Sequence, residues 1–282
     1  MAAVPGAVGW LGSADYYPEE RPIHQVSVAG FEIDLTPVTV QMFAEFVMAT
    51  GYVTTAETAP DPADYPDADP AQLVPGSLVF DPPDGPVPLT DIRRWWSWTP
   101  GADWRHPSGP DSSVTGRNHH PVTQVSHTDA LAYARWAGKD LPTEAEWELA
   151  ARGGLDRQPF AWGVDPDPRG RANTWIGEFP WQCLGIGTTS AVGSYPPNGF
   201  GLYDMTGNVW EWTADRYAAG PARLRSCCTP DRTGGDPRSP RVIKGGSHLC
   251  APNYCLRYRP AARQPQSADS ATGHLGFRCV RR

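Results

Sequence analysis

The sequence predicts a single irregular α+β domain, poor in regular secondary structure. Three observations carry this. The chain has 282 residues with 31 Pro and 29 Gly, which favours loops and turns over long elements. Only three windows combine an apolar stripe with helix start and stop signals. Strand-like alternation is short and scattered, and neither an internal repeat nor a compositional break divides the chain. A hydrophobic content of 40% with 12 Trp is ample for one core.

The elements follow in order. Gln25 to Asp34 alternates as a hairpin arm. Thr39 caps a helix over Val40 to Thr50, with Phe43, Phe46 and Val47 as its apolar stripe and Gly51 as its stop. A second helix runs over Asp129 to Ala137 and ends at Gly138. Thr143-Glu144-Ala145-Glu146 is a capping box: the Thr143 hydroxyl accepts from the third backbone N–H while Glu146 reaches back. That third helix runs to Arg152 and stops at Gly153-Gly154. Arg241 to Lys244 and Leu275 to Val280 are further strands. Ala59 to Pro88 and Pro100 to His120 show no period, and loops of that length are often functional.

Charge and composition narrow the partners. A net charge of −7 and a pI near 5.5 argue against nucleic acid. No apolar run reaches transmembrane length. The first residues lack the basic and apolar regions of a signal peptide, so a cytoplasmic monomer is expected. In that compartment the six cysteines read as thiols or metal ligands rather than a disulfide framework.

The most informative stretch is Gly245-Gly246-Ser247-His248-Leu249-Cys250-Ala251-Pro252-Asn253-Tyr254-Cys255-Leu256-Arg257-Tyr258-Arg259. Pro252 excludes a regular helix between the cysteines, so a loop brings the two sulfurs together. Alternation from Cys255 to Arg259 suggests a strand with Cys255, Arg257 and Arg259 on one face. Cationic neighbours favour the thiolate, the form that attacks or binds soft metal. Four readings stand side by side: a disulfide, two buried small hydrophobes, half of a zinc site completed by Cys227 and Cys228, or a Cu(I) site. The zinc reading lacks the usual C-x2-C knuckle, and two thiolates without a His or carboxylate pattern suit Cu(I) better.

At these residues the chain resembles the formylglycine-generating enzymes, or sulfatase-modifying factors. Their signature is G-G-S, two residues, Cys, four residues, Cys, then x-R-Y-R-x-A-A-R. Here it is Gly245-Gly246-Ser247, Cys250, Cys255, Arg257-Tyr258-Arg259 and Ala261-Ala262-Arg263. The Cys-Ala-Pro-Asn-Tyr-Cys form is similar to a bacterial branch, whereas better-known members carry His at the place of Ala251. The likeness spans nearly the whole chain, through Leu141-Pro142-Thr143-Glu144-Ala145-Glu146-Trp147-Glu148, Gly207-Asn208-Val209-Trp210-Glu211-Trp212 and Gly276-Phe277-Arg278-Cys279.

The resemblance implies a C-type-lectin-like α+β domain over residues 1–282 and a copper-dependent oxidase. Such an enzyme converts a cysteine in a Cys-x-Pro-x-Arg segment of an unfolded sulfatase to Cα-formylglycine with O2. It implies that Cys250 and Cys255 hold Cu(I), that Ser247 and Tyr254 shape the O2 pocket, and that Trp210, Arg257 and Arg259 contact substrate. Asp204, Gly207, Val209 and Glu211 match a structural Ca2+ loop, and Asn173 and Thr174 begin a second one. Relatives carry Asp in that second site's other half, where Cys183-Leu184-Gly185-Ile186-Gly187 has none. The places of disulfide cysteines in vertebrate relatives are taken by Ala134, Ala151 and Pro260, which leaves Cys279 as an unpaired core thiol. The alternatives are an oxidase acting on another thiol peptide and a non-catalytic binding module on the same fold. An ergothioneine-type sulfoxide synthase needs a H-x3-H-x-E pattern, which the seven His do not form.

Overall fold

A computed structural model describes residues 1–218 and 239–282 of the chain. Cys227 and Cys228 lie outside the described residues. Local sequence chemistry sets the three helices. α1 (Val40–Thr50) starts where the Thr39 hydroxyl accepts from Met42 N and stops at Gly51, which is left-handed at φ 68°. α2 (His127–Trp136) begins earlier than expected, because Ser126 is its cap and Asp129 is the third residue of a reciprocal capping box. α3 (Glu144–Arg152) has the expected Thr143–Glu146 box and ends at left-handed Gly153.

Among the described residues, eleven short strands surround them. β1 (Ala2–Val4) and β11 (Val280–Arg281) flank β4 (Phe31–Ile33), while β2 (Ala7–Leu11) pairs with β3 (His24–Val28). The arm expected over Gln25 to Asp34 is therefore two strands that part at Ala29-Gly30 and serve different sheets. The strand expected over Leu275 to Val280 likewise divides. β10 (Leu275–Gly276) runs parallel to β7 (Trp210–Arg216), in a sheet continued by β8 (Arg241–Lys244) and β9 (Arg263–Gln266). A further hairpin, β5 (Gly76–Phe80) with β6 (Trp96–Pro100), falls in and beside stretches that showed no period. No strand forms over Cys255 to Arg259, where the side chains are instead held by distant partners.

Three apolar clusters fill the interior. The first gathers Phe43, Phe46, Tyr133 and Phe277 with Trp210, Trp212, Cys250, Cys255 and Tyr258. The second packs Trp147 of α3 against Phe31, Ile33, Leu202 and Val280. The third stacks Trp95, Trp175 and Phe179 on Leu249 and Ala251. Each fully buried Phe, Leu, Ile or Val among them contributes about 1.5–3 kcal/mol of transfer free energy. The thiol loop is thus clasped between the first cluster and the third.

Candidate active site

β8 delivers the chain into the site through Gly245 and Gly246, both left-handed at φ 93° and 69°. A Cβ on Gly246 would lie 2.8 Å from Tyr258 N, so only glycine lets this turn pack against the arginine segment. Ser247 is buried; its hydroxyl accepts from Leu249 N at 3.2 Å, and its N–H points at Cys250 Sγ at 3.4 Å. The carbonyl of Ala251 accepts from both Tyr254 N and Cys255 N, at 3.1 and 2.7 Å, which folds the loop back on itself. The two sulfurs then stand 3.0 Å apart, as free thiols only 2% and 7% exposed.

The pair is electrostatically unequal. A hydrogen bond from Cys250 lowers the pKa of Cys255 against the cost of burial, and the Arg257 guanidinium lowers it further from 3.9 Å. Burial and the same hydrogen bond push Cys250 well up. Cys255 is therefore the more readily ionised sulfur, and Cys250 the one that holds its proton more tightly. Arg257 is held there by Glu19 at 2.6 Å and by the Tyr17 ring at 3.7 Å. Tyr17 also accepts from Leu256 N at 2.9 Å through its hydroxyl. Tyr254 stacks on Phe179 with ring centres 4.5 Å apart and planes within 7°, and meets Trp95 edge-on. These aromatics shield one flank of the pair from water. Phe160 and Tyr258, stacked at 6.0 Å, lie in the same core cluster as the sulfurs.

Arg259 is expected from the resemblance to contact substrate. It is fully buried, ion-paired with Glu20 and stacked on Tyr16 at 3.7 Å. Arg257 is committed to Glu19 and Cys255, so it acts on the thiol rather than on a distant substrate group. Trp210 is 2% exposed and packs within the first cluster, which also holds both site cysteines. Cys279 is the expected unpaired core thiol. Tyr16, Tyr17, Glu19, Glu20, Phe179 and Trp95 were missed by sequence reading, since nothing local joins them to the cysteines.

Copper fits the thiol pair. Two soft sulfurs face each other, and the groups touching them, Ser247 N–H and Arg257, are donors to sulfur that compete for no metal. Glu211, expected as a calcium ligand, is ion-paired with Arg278. Its carboxylate receives four donor contacts, three from Arg278 at 2.8–3.0 Å and one from Trp147 Nε1 at 2.7 Å. Arg278 Nε–H is shared between the two oxygens, so three N–H groups serve this carboxylate and its paired cation is a guanidinium. Arg278 also donates to the carbonyls of Tyr203 and Asp204. Asp204 accepts from Gly193 N at 2.7 Å, and burial raises its pKa. At the second expected calcium site the Asn173 side chain is a donor to Thr188 O and Ser190 Oγ, and the Asn173 backbone carbonyl accepts from Asn208 N. Thr174 Oγ1 is buried without a partner, and no carboxylate follows at Cys183 to Gly187. Among the described residues no group of three or more His, Cys, Asp or Glu could hold a metal ion, and no helix is long and apolar enough to cross a membrane.

A cavity of about 560 Å³ opens behind His248, lined by Trp104, Arg117, His120, Trp181 and Cys183 among others. Neither site sulfur lines it.

This geometry defines a class: a protein whose chemistry centres on a buried, unequal dithiol on an irregular α+β scaffold. The model of the sulfatase-modifying factor enzyme 1-like domain matches residues 1–282, and the chain belongs to that family. It is 55% identical over 291 residues to the formylglycine-generating enzyme of Mycobacterium tuberculosis, covering 99% of this chain and 97% of that one. It is 45% identical over 292 residues to the formylglycine-generating enzyme of Thermomonospora curvata, at 99% and 92% coverage. The solved structure of PvdO from Pseudomonas aeruginosa shares the fold, with a TM-score of 0.63 at 24% identity over 99% of this chain and 92% of that one. The fold class expected from the resemblance stands.

Proposed function

We propose that the protein oxidises a cysteine of a sulfatase polypeptide, in a Cys-x-Pro-x-Arg segment, to Cα-formylglycine with O2, using copper held by Cys250 and Cys255. The observation that carries this reading is the pair of free, buried sulfurs 3.0 Å apart, within a chain of the sulfatase-modifying factor family. Copper held there would supply one-electron exchange with O2 and a seat for the substrate sulfur.

The chain's own groups do the rest. The Cys250 hydrogen bond and the Arg257 guanidinium favour ionisation of Cys255, which makes it the readier of the two sulfur donors. Cys250 keeps its proton until a cation replaces it. Ser247 N–H orients the Cys250 sulfur, and the Tyr254–Phe179–Trp95 stack keeps water from that flank. The substrate cysteine loses one hydrogen from Cβ and one from sulfur. O2 accepts those two electrons and protons, and water hydrolyses the resulting thioaldehyde to the aldehyde and hydrogen sulfide.

The test is mass spectrometry of a Cys-x-Pro-x-Arg peptide incubated with copper-loaded protein in air. The expected product is the aldehyde, absent with Cys250→Ser and Cys255→Ser. No aldehyde from the wild type, or full turnover by either variant, overturns the reading.

A further inference from the structure

The loop between the cysteines has a tether that neither thiol chemistry nor core packing requires. Asn253 stands at its exposed tip. Its Nδ2 donates to Glu178 Oε2 at 3.2 Å and to the Phe179 carbonyl at 3.2 Å, while its Oδ1 accepts from Phe179 N at 3.4 Å. One side chain thus pairs with both backbone groups of a residue 74 positions away, as a neighbouring strand would. The preceding residue, Pro252, has no N–H to offer. On either side the loop is otherwise held by Trp175 N donating to the Cys250 carbonyl at 3.0 Å and by the Tyr254 ring on Phe179. Asn253 is only partly in the core's grip, so its contacts are spent on orientation.

We propose that Asn253 is a positioning residue, fastening the Cys250–Cys255 loop to Glu178–Phe179 and thereby setting how closely the two sulfurs approach. The inference rests on the reading of that pair as the reactive site, and it adds the group that preorganises it. Asparagine suits the task because it presents a donor and an acceptor at one length. Aspartate keeps the acceptor, loses both donated bonds and sets a second carboxylate against Glu178.

The experiment titrates the metal-free protein against glutathione disulfide and reduced glutathione. In each event the two thiols lose two electrons and two protons, a Cys250–Cys255 disulfide forms, and one glutathione disulfide becomes two glutathiones. Closeness of the sulfurs enters the equilibrium constant as an effective concentration. Asn253→Ala is expected to lower that constant roughly tenfold, the change that goes with losing about one net hydrogen bond, with the melting temperature close to wild type. Asn253→Asp is expected to lower it at least as far, and adding Glu178→Gln to that variant should recover much of the loss by restoring a donor. With the peptide substrate, kcat should fall while KM holds. A constant unchanged in both single variants, or an Asn253→Asp loss that Glu178→Gln does not relieve, overturns the proposal. A wild type that makes no formylglycine removes the proposed reaction, yet the glutathione titration still decides the role of Asn253.

Discussion

Two buried corners of this molecule pair an anion with an arginine, and they do so to opposite ends. At Cys255 the guanidinium of Arg257 stands 3.9 Å from sulfur, tied to Glu19, and the sulfur remains open to a further ligand. At Glu211 the guanidinium of Arg278 reaches both carboxylate oxygens at 2.8–3.0 Å, and Trp147 completes the set. The first pairing biases an anion without saturating it, and the second closes it. A charged pair beside a motif is therefore no guide to reactivity until its donors are counted.

The largest expected effects break each corner in turn. Cys250→Ser and Cys255→Ser should each abolish tight Cu(I) binding and formylglycine formation while melting close to wild type, since hydroxyl and thiol have similar volumes. Copper competition assays, product mass spectra and thermal melts on the same preparations check this. A large fall in melting temperature would make the pair structural. At the closed corner the order reverses. Arg278→Met should cost about 3–5 kcal/mol, the usual penalty for stranding one partner of a buried ion pair, measured by denaturant unfolding. A loss under about 1 kcal/mol would show that Glu211 is not closed as described.

A subtler probe is calcium. Because Arg278 fills the Glu211 corner, excess chelator is expected to leave the melting temperature unchanged. Asp204→Asn should be neutral or mildly stabilising near neutral pH. Burial raises the Asp204 pKa, so the folded state holds its proton more tightly than the unfolded chain. Stability from that proton is complete at low pH and is lost as pH rises through the raised value. A drop in melting on chelation, removed by Asp204→Asn, would return calcium to this loop.

The smallest expected effect is a shift in pH. Cys255 is held below the ordinary thiol range, so metal-free protein should be alkylated there at lower pH than a free cysteine. Its ionised form stabilises the fold above the unfolded thiol pKa, and that increment disappears as pH falls through the lower folded value. Arg257→Met should move the alkylation midpoint upward, followed by mass-resolved labelling. A midpoint that stays in place would leave the Cys250 hydrogen bond as the sole cause.

What the sequence showed depends on the distance over which each signal acts. The Thr143–Glu146 box and the Gly51 stop were readable because every participant lies within one helical turn. The thiol loop was readable because two cysteines, a proline and two glycines sit in one short segment. Cys255 to Arg259 failed as a strand because alternation was overridden by Glu19, Glu20 and two tyrosines far upstream. For the same reason the burial and ion pairing of Arg259 had no local sign. The β5–β6 hairpin was hidden by the proline and aspartate around it, although Leu78-Val79-Phe80 is a short apolar run and Trp96-Ser97-Trp98 alternates. Burial of Trp210 had no local sign at all.

The span between Glu20 and Arg259, 239 positions, has a consequence for how the protein comes of age. During synthesis the early segment that grips Arg257 and Arg259 must wait for nearly the whole chain. Closing so long a loop is slow and entropically costly, so these contacts belong to the late steps of folding. Until they form, Arg257 lacks its anchors and Cys255 is one ordinary thiol among others. The unfinished protein is thus spared a premature reactive sulfur, and completion of the fold is what sets Cys255 apart from the other thiols.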